Sequence, residues 1–157
     1  MWLSESAVSG ISLAAFRAHP FETGGVLAGV RAGPGRPWVT HAVEVPRQGE
    51  PNRSSYVLPP DARPRTIDEL RRTDSRLGYV GDWHSHTYNV GPSAKDIRAL
   101  RAIAGDSSDE CEDAILLVVI RSDDEYQPLA LQLKHGQPHA LRLVYAGDLP
   151  NLDPSQS

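Results

Sequence analysis

Near the start of the chain, apolar residues recur at close to helical spacing, at Val8, Ile11, Ala15 and Ala18, with Ser4 placed to cap the run. The pattern predicts a helix over 4–18. It should stop at His19-Pro20, because the residue before proline is driven out of the α region. The period then changes. Residues 24–30 read as a buried strand in which glycine lets a neighbouring backbone come close. Residues 31–37 read as a turn, and 38–45 alternate like the second strand of a hairpin. The stretch 46–61 is rich in Pro, Gln, Gly, Asn and Ser and reads as a loop, with a short strand at Tyr56-Val57-Leu58. Residues 66–77 predict a helix with a charged, solvated face. A strand over 77–83 and a helix over 96–104 follow, the latter ending near Gly105. Residues 106–113 form an acidic loop, more simply a solvated connection than a second metal site. Residues 114–121 are so rich in Ile, Leu and Val that both faces of this strand should be covered. Strands over 129–134 and 140–144 close the pattern, joined by a turn at Gly136-Gln137-Pro138. Helices before and between strands predict a layered α/β architecture. One domain over 1–146 is expected, then a polar tail over 147–157 carrying Pro150 and Pro154.

Composition narrows the function classes. A chain of 157 residues is long enough for a real core in one domain. Its net charge of −4 and lack of a Lys/Arg cluster argue against general nucleic-acid binding. The longest apolar run, 114–120, is far too short to span a membrane. With no basic start and Glu5 early, no signal peptide is expected, so the setting expected is cytoplasmic. The single Cys111 excludes an intrachain disulfide and any multi-cysteine zinc site. Set among Asp109, Glu110, Glu112 and Asp113, its thiol is poorly placed to act as a nucleophile.

The chemistry gathers in residues 79–100. His84 and His86 flank one serine, and in an extended strand alternate side chains share a face. Asp82 has the same parity and reads as structural, with a place behind the ligands or as a fallback ligand left open. Trp83 is out of phase and should face the core. After the turn residues Asn89, Gly91 and Pro92, Ser93 stands as an N-cap and Asp96 falls in the first turn of the next helix. Two imidazoles from a strand end and one carboxylate from a helix start can converge as the three-ligand set of a catalytic zinc site. His-x-His also occurs at strand ends that bind nothing, and Ser-x-x-Asp is a common helix start. The remaining histidines, His19, His41, His135 and His139, read as surface residues.

Taken together, His84-Ser85-His86, Ser93-Ala94-Lys95-Asp96 and the upstream Glu22-Thr23-Gly24-Gly25-Val26-Leu27-Ala28-Gly29 resemble the JAMM (MPN-plus) zinc metallopeptidases. The resemblance covers nearly the whole chain. It departs from the family at Thr87, where the family has proline, and in the six residues 87–92, one fewer than the common spacing. The resemblance implies a curved mixed sheet flanked by helices, with layering related to cytidine deaminases. It implies Zn²⁺ on His84, His86 and Asp96, Glu22 as general acid/base, and Ser93 as hydrogen-bond donor to the oxyanion. It further implies a peptidase or isopeptidase acting after the C-terminal tail of a ubiquitin-like or sulfur-carrier protein. A metal-free MPN-type interaction module and a zinc hydrolase of small amides are the other two readings. Oligomeric state and the choice between precursor maturation and isopeptide removal stay open.

Overall fold

The computed structural model describes residues 1–31, 36–105 and 115–148. Among them lie eight strands and three helices: β1 (Trp2–Ser4), α1 (Glu5–Ala18), β2 (Gly24–Arg31), β3 (Pro37–Glu44), α2 (Ala62–Arg71), β4 (Gly78–His86), α3 (Ala94–Gly105), β5 (Ile115–Ser122), β6 (Glu125–Lys134), β7 (Gln137–Leu141) and β8 (Val144–Ala146). The strands form one mixed sheet in the order β7-β6-β5-β4-β2-β3-β1-β8. The centre is antiparallel β2 against β3 and β4, while β4 and β5 run parallel and are linked through α3.

Side-chain alternation divides the core between two faces. Leu27, Trp83, Ile115 and Leu117 pack with Leu3, Ala7, Ile11 and Ala14 on the α1 face. Their neighbours in sequence face the other way. Leu116 and Val118 meet Leu100 and Ile103 of α3, and Val26 and Ala28 meet Ala62 and Ile67 of α2. The α/β expectation, with a curved mixed sheet flanked by helices, is met, and Trp83 faces the core as its parity predicts. A bulge leaves Val80 unpaired against β2, so Tyr79 and Asp82 share a face although three residues apart. Glycine at the head of β2 is a packing requirement. A Cβ on Gly25 would run into the Val43 carbonyl, and one on Gly24 into the Trp83 carbonyl and the Tyr56 ring.

Several expected boundaries move, each for a physical reason. The helix expected over 66–77 is α2, Ala62–Arg71. Pro64 sits in its first turn, where a missing N–H costs nothing, and after Arg71 the chain turns, Thr73 and Asp74 both donating to the Leu70 carbonyl. Tyr56-Val57-Leu58 is not a strand. Among the described residues it pairs with no strand, and the Tyr56 hydroxyl donates to the Val45 carbonyl at 2.7 Å. Strand β6 starts at Glu125, upstream of the expected 129, because Pro128 pairs only with β5 and β7 does not reach it. The turn expected at 136–138 is a tighter one at His135-Gly136, both with positive φ, which lets β7 begin at Gln137. The strand expected over 140–144 therefore divides into β7 and β8. Strands β1 and β8, at 3 residues each, are too short to show a period. The acidic loop, Cys111 and nearly all of the polar tail lie outside the described residues.

Candidate metal centre

The end of β4 and the start of α3 meet on the α2/α3 face of the sheet. His84, His86 and Asp96 are there, all buried. The Asp96 carboxylate lies 2.8 Å from His84 Nε2 through Oδ1 and 3.4 Å from His86 Nε2 through Oδ2. The two Nε2 atoms are 3.2 Å apart. One ligand atom from each of the three residues lies within 4.8 Å of the others, so the group can hold a metal ion. The short segment 87–92 does not keep Asp96 away. Thr87 Oγ1 donates to the Arg53 carbonyl at 2.8 Å, and His86 Nδ1 sits 3.0 Å from the Val90 carbonyl.

That last bond fixes the tautomer. A carbonyl only accepts, so His86 Nδ1 carries a proton: the protonated ring also donates from Nε2 to Asp96, and the neutral ring presents a lone pair there. Two ring nitrogens and a carboxylate thus converge at one buried point, which is stable only with a shared cation there, a proton or a metal. Two imidazoles, one carboxylate and a backbone bond behind one ring suit a divalent first-row metal. Burial alone would raise the Asp96 carboxyl. Hydrogen bonds from His84, His86 and Ser93 outweigh it and hold the group well below the usual carboxylate range. Burial pulls His86 down, but Asp96 and the Val90 carbonyl more than offset it, and its pKa is raised.

Ser93 and Asp96 form a reciprocal helix cap. The Ser93 N–H donates to Asp96 Oδ2, and the Asp96 N–H approaches Ser93 Oγ at 3.4 Å. The Ser93 hydroxyl proton is left to donate elsewhere. Glu22 lines the same cavity as the three clustered residues. Its N–H donates to the Asn52 carbonyl at 2.9 Å. The next residue is stitched to the strand that carries the histidines. The Thr23 N–H donates to Ser85 Oγ at 3.1 Å, and the Ser85 N–H to the Thr23 carbonyl at 2.8 Å. Partial burial raises the Glu22 pKa, with Asp96 adding to the rise and the histidines opposing it.

Asp82 is engaged elsewhere. Arg63 reaches it with Nη2 at 2.7 Å and Nε at 3.2 Å, and the Tyr79 hydroxyl donates to it at 2.9 Å. It is structural, as its sequence reading favours. His19, His41, His135 and His139 are all exposed. The sequence gives no sign of the Arg63–Asp82 pair, whose members sit on different elements. The Thr23–Ser85 stitch leaves one clue, a small polar residue on the core parity between two histidines.

The centre opens into a cavity of about 790 Å³ between the segment 53–58, α2 and α3. Comparison with known proteins follows the same outline. The family of prokaryotic homologs of the JAB domain matches residues 4–134. A probable metalloprotease of Sinorhizobium fredii is 26% identical over 133 residues, 83% of this chain and 81% of that one. A solution structure from Desulfitobacterium hafniense superposes with a TM-score of 0.75 at 19% identity, covering 94% of each chain. A JAB1/MPN domain protein from Archaeoglobus fulgidus gives a TM-score of 0.55 at 16% identity, covering 92% of this chain and 98% of that one. The sheet and helices are those of JAB/MPN proteins, and the chain belongs to the family of prokaryotic homologs of the JAB domain.

Proposed function

We propose that this chain is a zinc-dependent peptidase or isopeptidase that hydrolyses the amide bond after the C-terminal tail of a ubiquitin-like or sulfur-carrier protein. The observation that carries the reading is the convergence of His84, His86 and Asp96 in one cavity with Glu22. In this reading His84, His86 and Asp96 hold the ion. Bound there, zinc supplies Lewis acidity, which polarises an amide carbonyl and acidifies water.

The remaining work falls to the protein. The Glu22 carboxylate, in its partly desolvated position, takes a proton from the attacking water and returns it to the departing amine. The Ser93 hydroxyl donates to the oxygen that gains charge as water adds to the carbonyl. The Thr23–Ser85 stitch keeps Glu22 in register with the histidines. The bond that breaks is the amide C–N bond, and the two products are a carboxylic acid and an amine. No covalent enzyme intermediate is needed.

A glycine-ended tail suits a narrow approach, because glycine lets a backbone come close. The cytoplasmic setting belongs to this proposal. Among the described residues no helix is long and apolar enough to cross a membrane. A second reading, hydrolysis of a small amide, draws on the size of the cavity, which can take a free ligand as readily as a chain end.

The test is incubation of the zinc-loaded protein with ubiquitin-like and sulfur-carrier proteins. Each carries a C-terminal extension or a lysine-linked partner, and products are read by intact mass. Cleavage after the terminal glycine, lost in Glu22→Gln, supports the proposal. Hydrolysis of small amides with every tail intact selects the second reading.

A further inference from the structure

The wall of the cavity differs in charge from the protein as a whole. The chain carries a net charge of −4, yet Arg53, Lys95 and Arg98 all line this one cavity and all are exposed. Lys95 reaches the Ser54 carbonyl only at 3.4 Å. Among the described residues, the guanidinium groups of Arg53 and Arg98 have no hydrogen-bond or ion-pair partner. The acids of the cavity are committed in a way these cations are not. Asp82 is paired with Arg63, and Asp96 with the two histidines. Glu22 remains, beside the metal-binding group. Nor does the fold benefit from this placement. A positive side chain in the first turn of a helix opposes the helix dipole, and that is where Lys95 sits.

Apolar groups share the wall with these cations. Leu58, Ile103 and Leu116 face the cavity, and Ala99 and Ala102 keep that side of α3 small. Lys95, Arg98, Ala99, Ala102 and Ile103 follow helical spacing, so one stripe of α3 presents cations at its head and short apolar groups beyond.

We propose, resting on the amide-hydrolase reading above, that this cavity selects a substrate with a carboxylate and an aliphatic group beside the scissile amide. Arg53, Lys95 and Arg98 receive the carboxylate, and Leu58, Ile103 and Leu116 receive the aliphatic part. The carboxylate belongs either to the free end of a released residue or to an acidic side chain. Arginine suits this role because its planar fork pairs with both carboxylate oxygens.

Three peptides ending in the same Gly-Gly tail separate the alternatives. One continues with leucine bearing a free carboxylate, one with leucinamide, and one with glutamic acid whose own end is amidated. Their affinities are measured by fluorescence anisotropy on full-length, zinc-loaded Glu22→Gln, so that no turnover is needed. At least one carboxylate-bearing peptide binds roughly tenfold more tightly than the leucinamide. Which of the two does so identifies the source of the charge. The preference collapses in Glu22→Gln carrying Arg53→Gln/Arg98→Gln, and it shrinks as salt rises from about 0.05 to about 0.5 M. Equal binding of the three, or a preference that survives the double arginine change, overturns the inference. Turnover of the leucinamide peptide by the wild type alongside such equal binding leaves the hydrolase standing without it. Charge-selective binding with no turnover of any peptide does the reverse.

Discussion

Strand β4 serves two faces of one sheet, and the faces are stabilised in different ways. Toward α1 it sends Val80 and Trp83 into a closed apolar layer with Leu3, Ile11 and Leu27. Toward α2 and α3 it sends Asp82, His84 and His86, all buried and all polar. The first face needs only shape, since apolar groups are satisfied by exclusion of water and close contact. The second needs partners. Asp82 has two, in Arg63 and Tyr79. His84 and Asp96 meet chiefly each other and His86, which leaves more acceptors than donors at one buried point. A buried polar group that is fully paired belongs to the fold. A buried polar cluster short of a cation points to a bound ion.

The largest effect is expected from Trp83→Ala. Emptying the apolar face should destabilise the protein by about 3–5 kcal/mol in urea unfolding. His84→Ala/His86→Ala, examined without metal, should cost clearly less. Equal losses would mean that the polar face supports the fold as much as the apolar one.

Glu22→Gln comes next. Turnover should fall roughly a hundredfold or more, because the proton acceptor is gone, while bound zinc and unfolding midpoint stay near wild type. Near-normal turnover would remove Glu22 from the chemistry.

The paired part of the polar face is probed by Arg63→Met, which strands the Asp82 carboxylate. A loss of about 1–3 kcal/mol is expected. Adding Asp82→Asn should recover part of it, and the lack of any recovery would contradict the pairing.

Ser85→Ala is smaller still. It deprives the Thr23 N–H of its acceptor and should cost about 1 kcal/mol. Turnover should fall with zinc retained, as Glu22 loses its register. Unchanged turnover would show that the stitch is structural alone.

The smallest effect is a slope with pH. In the metal-free protein the raised His86 pKa contributes stability below the free imidazole value of about 6.5, lost as pH rises through the folded value. The depressed Asp96 contributes above the free carboxylate value of about 3.9, lost as pH falls through its lower folded value. The cluster's contribution is therefore greatest between the two. Zinc competes with the His86 proton, so the rise in Tm on adding zinc should grow from about pH 5 to about pH 8. Calorimetry with and without the metal reads it, and a rise independent of pH would place the ion elsewhere.

The two faces also differ in how far the sequence discloses them. Periods of two and of 3.6 residues mark the apolar face directly, so α1, β2, β5 and the inward Trp83 are readable from pattern alone. Of the polar face, the local pieces are readable. His-Ser-His is a strand signal and Ser-x-x-Asp a helix-start signal, and together with Glu22 they name the group that the structure brings into one cavity. What joins distant segments leaves little trace. Arg63 and Asp82 are 19 positions apart, and Thr23 and Ser85 are 62 apart. The cations of the cavity wall look like ordinary surface residues until α3 and the segment 53–58 are placed opposite each other. The missed strand β1, the division of 140–144 between β7 and β8 and the shifted α2 reflect tertiary pairing and proline placement that local period does not encode.

In the proposed reading, His84, His86 and Asp96 hold one metal ion, and that ion is zinc. Elemental analysis of the protein, purified without added metal or reconstituted with zinc, tests it most directly. About one zinc per chain is expected in the wild type and in Glu22→Gln, and essentially none in His84→Ala/His86→Ala. Unchanged zinc in the double histidine variant, or a wild type that takes up none, would contradict it.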